Sequence, residues 1–122
     1  MNAKLTAWGV TGAHFSVASG LDDTDNSATP AALAKIAGIV MASSTLAPIV
    51  GQGSIAITSG AGHAYNLKST NSLLASGQFY GIKTGYTLAA GECFVGLARI
   101  NGHDVITVVL GSSDRSDRTA HR

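Results

Sequence analysis

Apolar residues in the first third of the chain recur at helical intervals. After Thr29 and Pro30, the spacing of three and four residues is kept by Leu33, Ile36, Ala37, Val40 and Met41. Threonine is a good N-cap, and proline is favoured in the first helical turn. The pattern therefore predicts a helix that begins at Pro30, buries this stripe and ends before Pro48. A shorter helix, without an N-capping side chain, is predicted over residues 1–8 with Gly9 as its C-terminal stop.

The second half of the chain has the pattern of β-strands. Residues 54–58 and 64–68 alternate apolar and polar positions around a Ser-Gly-Ala-Gly loop, which predicts a peripheral hairpin. Three further predicted strands are residues 79–84, 93–100 and 104–110. Asn101-Gly102 is a favoured sequence for a tight hairpin turn, so the last two strands should be antiparallel neighbours. Helices followed by an antiparallel sheet predict an α+β fold.

Composition limits the class of protein. Charged residues form 12% of the 122 positions, 45% are apolar, and the net charge is +1. This balance favours one globular unit over a disordered chain. Nucleic acid is not an expected partner, because the chain has no cluster of Lys and Arg. No apolar run reaches the ~20 residues of a membrane span, and residues 1–8 lack the pattern of a signal peptide.

Metal and disulfide chemistry are not expected from this sequence. Cys93 is the single cysteine, so it should be a small buried side chain without an internal disulfide partner. The four histidines lie too far apart for a local metal motif, and no cofactor is indicated. Asp22, Asp23 and Asp25 lack the glycine and distal glutamate of a calcium loop, which leaves them roles in turns.

Lys83 is the most unusual residue of the predicted strands, and Thr84 and Gly85 follow it directly. A lysine on an edge strand, with its ammonium in water, would explain this position without any function. Lys-Thr-Gly is, however, also the third signature of penicillin-binding proteins and serine β-lactamases. Because a tripeptide recurs by chance, its surroundings must decide between these interpretations.

Those surroundings resemble the D-alanyl-D-alanine carboxypeptidases of the low-molecular-mass penicillin-binding class, serine peptidase family S11. Residues 81–87 with Ala90-Gly91 match the family's Gly-x-Lys-Thr-Gly-Tyr-Thr-x-x-Ala-Gly signature, and residues 70–74 resemble the Asn-rich turn before its active-site strand. Further similar stretches are residues 1–15, 19–23, 31–37 and 108–111. The resemblance implies part of a β-lactamase/transpeptidase-like fold, in which helices pack on an antiparallel sheet with the Lys-Thr-Gly strand and a hairpin.

The family pattern also contains two motifs that this sequence lacks. Its nucleophilic serine lies in a Ser-x-x-Lys helix and a second serine in a Ser-x-Asn motif, both upstream of the matching region. No serine here precedes a lysine by three residues, and Ser69-Thr70-Asn71 lies in the Asn-rich turn, so we do not expect it to be catalytic. Residues 1–122 are thus expected to form the C-terminal part of a catalytic domain. An exposed apolar face would then favour marginal stability or self-association.

The resemblance assigns roles to four residues of the predicted strand. Lys83 would hold the hydroxyl of the second serine and attract the anionic end of the substrate. Thr84 would donate a hydrogen bond to that carboxylate, and Gly85 would let the substrate backbone lie against the strand edge. Tyr86 would contribute its backbone N–H to the oxyanion hole.

Arg118 matches the family arginine that pairs with the terminal carboxylate. A solvated charge is the alternative, and the nearby Arg115 leaves the register open. The implied activity is removal of the terminal D-alanine from peptidoglycan stem peptides, with β-lactams as inhibitors of the intact enzyme and export to the periplasm or cell envelope. The alternatives are a non-catalytic module that binds peptidoglycan peptide, an inert remnant, and a β-lactamase-related fragment. The Tyr-Thr-x-x-Ala-Gly continuation favours the carboxypeptidase branch.

Overall fold

The computed structural model describes residues 1–113, which form three α-helices, one 3-10 helix and seven β-strands. The helices are α1 (Asn2–Ala7), α2 (Pro30–Ala42) and α3 (Leu46–Val50), and the 3-10 helix is Ser72–Ser76. The strands are β1 (Ala13–His14), β2 (Ser27–Ala28), β3 (Ser54–Thr58), β4 (Ala64–Lys68), β5 (Phe79–Thr87), β6 (Gly91–Ile100) and β7 (His103–Ser112). The predicted α+β class is confirmed.

The boundaries of the helices follow the capping signals. The Thr29 hydroxyl accepts a hydrogen bond from the backbone N–H of Ala32, at 3.2 Å, and Pro30 occupies the first turn of α2. In α1 no side chain caps the N-terminus, and Gly9 follows the helix with φ +63°. Pro48 lies inside α3, which the sequence pattern missed because five residues are too few to display a period.

The main sheet has the strand order β5-β6-β7, and all its pairs are antiparallel. Asn101 and Gly102 have φ of 52° and 81°, so the turn between β6 and β7 uses the two left-handed residues that its sequence predicted. All three strands are longer than predicted. β6 is the central strand, and β5 is an edge strand.

The β3–β4 hairpin has the predicted bounds and lies at the periphery, with every side chain exposed. Ile55 faces Leu67, and Ile57 faces Tyr65. Since directly opposed residues project from the same side of a hairpin, these four form one apolar surface, which we call the hairpin face.

The apolar core has two parts. Under α1 and α2, the buried side chains of Leu5, Val10 and Ala32 contact Ala13, Phe15, Ile36 and Ile39. On β6, three apolar side chains are buried, namely Phe94, Leu97 and Ala98. Helix α2 therefore buries Ala32 and, from the predicted stripe, Ala37. Ile36 of the stripe packs on the core, whereas Leu33 and Val40 line an open groove described below.

The prediction that Cys93 is a buried side chain was wrong. Cys93 is only half-buried, because its strand lines the open groove. Trp8 remains 43% exposed, and the Lys4 ammonium lies 5.5 Å from the centre of its ring. Phe15, in contrast, packs against the first part of the core.

Candidate functional site

A groove of about 540 Å³ lies between α2 and the three-stranded sheet. Its walls are mainly apolar and come from segments that are distant in the sequence. The helical side consists of Leu33, Ile36, Ala37, Val40, Leu46 and Val50, and the sheet side includes Ile82, Cys93, Phe94, Val95 and Leu110. Ser19 and Gly20 also line it. An apolar cleft with few polar groups is typical of a ligand site.

Besides Ser19, the polar side chains of the groove come from β5. Lys83, Thr84 and Gly85 all line it, although consecutive residues of a strand point to opposite faces. They share one cleft because β5 is the edge of the sheet, with β6 as its single strand neighbour among residues 1–113. The Lys83 side chain is exposed, and its ammonium donates a hydrogen bond to the carbonyl oxygen of Thr84.

Gly85 faces open space. A methyl group added there would have no atom of the described structure within 4 Å beyond the adjoining residues, and its φ lies outside the left-handed region. Gly81 is different, because a methyl group there would come within 2.9 Å of the Val50 carbonyl oxygen of α3. Packing therefore requires glycine at position 81, whereas neither packing nor conformation requires it at position 85.

The structure does not bring every predicted site residue into the groove. Tyr86 lies one residue beyond its lining and is 59% exposed, paired in register with Glu92 of β6. Arg118 and its alternative Arg115 lie outside the described residues 1–113.

The loop before β5 is fixed to this strand by side chains. The buried amide of Asn71 donates to the carbonyl oxygen of Gly81 at 3.2 Å, while its oxygen accepts from the backbone N–H of Leu73 at 3.1 Å. One residue earlier, the hydroxyl oxygens of Thr70 and Thr84 lie 2.5 Å apart. Asn71 thus anchors the loop, and Thr70 contacts a groove residue without lining the groove itself.

A second contact holds the other end of β5. The Thr87 hydroxyl donates a 2.6 Å hydrogen bond to the Asp22 carboxylate and accepts one from the Ala90 N–H. In the same loop, the Ser16 hydroxyl donates to Asp23 at 2.7 Å, which lowers the pKa of that carboxyl below its usual 3.8. Asp23 serves the turn, as predicted, because it also accepts from the Asp25 N–H, whereas Asp22 fixes the segment with Ser19 and Gly20 beside β5.

An ion pair between β6 and β7 lies away from the groove lining. Arg99 of β6 forms two hydrogen bonds with Asp104 of β7, at 2.8 and 3.2 Å. Within residues 1–113, no group of three or more His, Cys, Asp or Glu is arranged to hold a metal ion. No helix in this part of the chain is long and apolar enough to span a membrane.

The fold and the lysine-bearing edge strand define a class, the penicillin-binding-protein-like DD-transpeptidases and carboxypeptidases. The Streptomyces K15 DD-transpeptidase superimposes with a TM-score of 0.86 at 32% identity, over 96% of this chain and 47% of that one. A D-alanyl-D-alanine carboxypeptidase from Mycobacterium tuberculosis H37Rv superimposes with 0.84 at 30% identity, over 98% of this chain and 48% of that one. The chain thus spans about half the length of these structures. No curated protein matches it significantly.

The particular family follows from the sequence. The family model of peptidase S11, D-alanyl-D-alanine carboxypeptidase, matches residues 1–114. The chain belongs to this family, as the resemblance around Lys83 indicated.

The sequence patterns overlooked two contributions to this site. Thr70 was read only as part of a family turn, and its contact with Thr84 joins residues 14 positions apart. The contact between Asp22 and Thr87 spans 65 positions. The polar Thr-Asn pair just before the 3-10 helix is the available signal for the first contact, and nothing local indicates the second.

Proposed function

We propose that this chain provides the substrate-binding part of a serine-type D-Ala-D-Ala carboxypeptidase, acting on peptidoglycan stem peptides in the cell envelope. The observation that carries the proposal is the groove edge at β5, where Lys83, Thr84 and the open position of Gly85 adjoin an apolar cleft. Family membership and the two solved relatives support the same reaction class.

The groove edge suits an extended peptide that ends in a carboxylate. A peptide backbone adds to an exposed sheet edge as a further strand, and Gly85 leaves space for it. The Lys83 ammonium attracts the terminal carboxylate, and the Thr84 hydroxyl donates a hydrogen bond to it. Arg118, carried over from the family pattern, would form a second ionic contact with the same group.

In the complete reaction, a serine attacks the carbonyl of the penultimate D-alanine, the terminal D-alanine leaves, and water hydrolyses the acyl-enzyme. In this scheme, the Tyr86 backbone N–H stabilises the oxyanion together with the N–H of the nucleophile. No serine in the 122-residue sequence precedes a lysine by three positions. We therefore assign residues 1–122 to one part of the catalytic domain and infer that this chain alone does not form an acyl-enzyme.

Calorimetric titration with a peptide ending in D-Ala-D-Ala tests the binding role. We expect saturable binding that weakens at least about tenfold in Lys83→Ala, because a charge-assisted hydrogen bond is lost. Lys68→Ala is the matched control, since Lys68 is exposed on the β3–β4 hairpin. Equal affinities of the two variants, or no binding by the unmodified chain, would contradict the proposal.

A fluorescent penicillin tests the inferred lack of acylation. We expect no label that survives denaturation of the 122-residue chain, and a labelled band would overturn this inference. Peptide binding without labelling would assign the isolated chain to the alternative class, a non-catalytic peptide-binding module. That alternative is favoured by a groove edge that carries binding groups in a sequence without Ser-x-x-Lys.

A further inference from the structure

The hydroxyl groups of Thr70 and Thr84 form a pair at the edge of the groove. Their oxygens lie 2.5 Å apart, within hydrogen-bond distance. Thr84 lines the groove, whereas Thr70 is exposed in the preceding loop and outside the groove lining. Any effect of Thr70 on a ligand that contacts only the groove lining would therefore pass through Thr84.

The position of Thr70 is set by its neighbour. The buried Asn71 amide bonds to Gly81 of β5 and to Leu73 of its own loop. A third hydrogen bond joins the Asn71 N–H to the Ser69 hydroxyl at 3.2 Å. Because these contacts hold Asn71 in place, the backbone of the preceding residue has little freedom. The Thr70 hydroxyl is therefore held against β5.

The number of hydrogens decides which hydroxyl donates. Each threonine hydroxyl has one hydrogen and accepting lone pairs, whereas an ionised carboxylate only accepts. A ligand carboxylate that binds at Thr84 therefore accepts a hydrogen bond from the Thr84 hydroxyl, which uses the single hydrogen of that hydroxyl. The bond between the two threonines must then be donated by Thr70. A donated hydrogen bond also polarises the Thr84 hydroxyl and strengthens its bond to the ligand.

We propose that Thr70 is a positioning residue that sets the Thr84 hydroxyl as a donor and so favours a terminal carboxylate over a carboxamide. The carboxamide gains less from this arrangement, because its oxygen is a neutral and weaker acceptor than a carboxylate oxygen, and its NH₂ group would need Thr84 as an acceptor. This proposal rests on the proposed function, since it requires a peptide whose terminus contacts Thr84.

The test compares two peptides that differ only at the C-terminus, a D-Ala-D-Ala carboxylate and the corresponding carboxamide. Their affinities are measured by calorimetry for the full 122-residue chain and for Thr70→Val, which keeps the side-chain shape and removes the hydroxyl. We expect Thr70→Val to weaken carboxylate binding about fivefold, the effect of one neutral hydrogen bond, with less than about a twofold change for the carboxamide.

Two further variants separate positioning from a general structural effect. Thr70→Ser retains the hydroxyl and should restore the carboxylate preference to within about twofold of the unmodified chain. In a Thr84→Val background, Thr70→Val should have no further effect, because the hydroxyl through which it acts is gone. Thermal melts of all variants should coincide, since Thr70 is exposed.

The outcomes distinguish this inference from the proposed function. An unchanged carboxylate-to-carboxamide ratio in Thr70→Val overturns the role of Thr70 alone, and so does a Thr70→Ser variant that behaves like Thr70→Val. The inference is also overturned if Thr70→Val weakens carboxylate binding equally in the otherwise unmodified chain and in the Thr84→Val background. If the unmodified chain binds neither peptide, the proposed function fails and this inference fails with it.

Discussion

The three-stranded sheet and the β3–β4 hairpin are both antiparallel, but they differ in how their apolar side chains are covered. Phe94, Leu97 and Ala98 of the central strand β6 are at most 6% exposed. On the hairpin face, Ile55, Ile57, Tyr65 and Leu67 are 44–49% exposed. Helix α2 packs against β6 and β7, whereas the hairpin has no comparable described layer on it.

This difference in coverage shows that the strands of the two units are stabilised in different ways. In the hairpin, cross-strand pairs such as Ile57 with Tyr65 supply the side-chain contacts, each contributing about 0.2–1 kcal/mol. In the sheet, burial under a second layer adds the larger hydrophobic contribution. Alternation of apolar residues therefore predicts both units as strands and the hairpin as peripheral, but it does not predict how much each unit contributes to the free energy of unfolding.

Truncation of one aromatic side chain in each unit should give the largest contrast. Phe94 is 3% exposed and contacts the Phe79 ring, with centroids 6.3 Å apart. Phe94→Ala should lower the free energy of unfolding by about 3 kcal/mol or more, because it removes buried surface and leaves a cavity. Urea denaturation followed by circular dichroism measures this loss.

The matched truncation in the hairpin is Ile57→Ala, which should cost about 1 kcal/mol or less because Ile57 is already 44% exposed. Equal losses of unfolding free energy for Phe94→Ala and Ile57→Ala would contradict this comparison, because the hairpin would then contribute as much to stability as the sheet.

Two glycines provide the next contrast, between binding and stability. Gly85→Ala should weaken binding of the D-Ala-D-Ala peptide about tenfold, because the new methyl group occupies the space proposed for the peptide backbone. The melting temperature should not fall, since the methyl group meets no described atom within 4 Å. Calorimetric titration and a thermal melt of the same sample measure both effects.

Gly60, in the hairpin loop, is the control for this pair. It also has open space at the Cβ position and no left-handed φ. Gly60→Ala should leave both affinity and melting temperature unchanged. Loss of stability in Gly85→Ala would instead indicate that Gly85 is required by the fold.

Self-association through the hairpin face is the third expectation. An uncovered apolar surface favours contact with a second copy. Replacement of Ile55 and Leu67 by threonine keeps β-propensity and removes much of this surface. We expect the double variant to weaken self-association about tenfold, as measured by sedimentation at several concentrations, because about 1.4 kcal/mol of apolar burial is lost.

Asn66→Thr is the matched variant on the opposite face of the same strand, and it should associate like the unmodified chain. A chain that stays monomeric at all concentrations would contradict the expectation. Equal association of the double variant and the unmodified chain would assign the contact to another surface, such as the groove.

The smallest effect should come from the ion pair that joins β6 and β7. Hydrogen bonds from Arg99, followed by its charge, lower the pKa of Asp104 below the usual 3.8. A lowered carboxyl pKa gives stability that is present above the usual pKa and lost as the pH falls through the lowered one. Both groups are exposed, so only a small shift in melting temperature is expected.

Asp104→Asn removes this titration. Its melting temperature should lie slightly below that of the unmodified chain at pH 6, and the two should converge below about pH 4. A difference that stays constant across this range would mean that the ion pair is not its cause.

The elements that the sequence predicted well are those with local signals. Thr29 and Pro30 define the start of α2 through a side-chain cap and a fixed φ, and Asn101-Gly102 defines a turn that needs two left-handed residues. Both effects depend on neighbours in the chain. The short elements were missed, since the β1–β2 bridge has two residues in each strand and contains no measurable period.

The direction in which α2 faces could be predicted only in part. Ile36 and Ala37 of the predicted stripe are packed, whereas Leu33 and Val40 line the groove and Ala32, outside the stripe, belongs to the core. A helix with apolar residues on most sides gives no internal evidence of its orientation. Likewise, the Lys-Thr-Gly motif located the site, while the loop that positions Thr70 depends on the tertiary contacts of Asn71.

The walls of the groove come from residues 33–50 and 82–110, which meet only when the chain is folded. A ligand that bridges them binds the native state and not the unfolded chain, so ligand concentration and folding are thermodynamically linked. At a free concentration of 100 times Kd, such a ligand raises the free energy of unfolding by about 2.7 kcal/mol. The midpoint of thermal unfolding is therefore itself a titration signal, and a library of peptides or β-lactams can be ranked on the unlabelled chain by that shift.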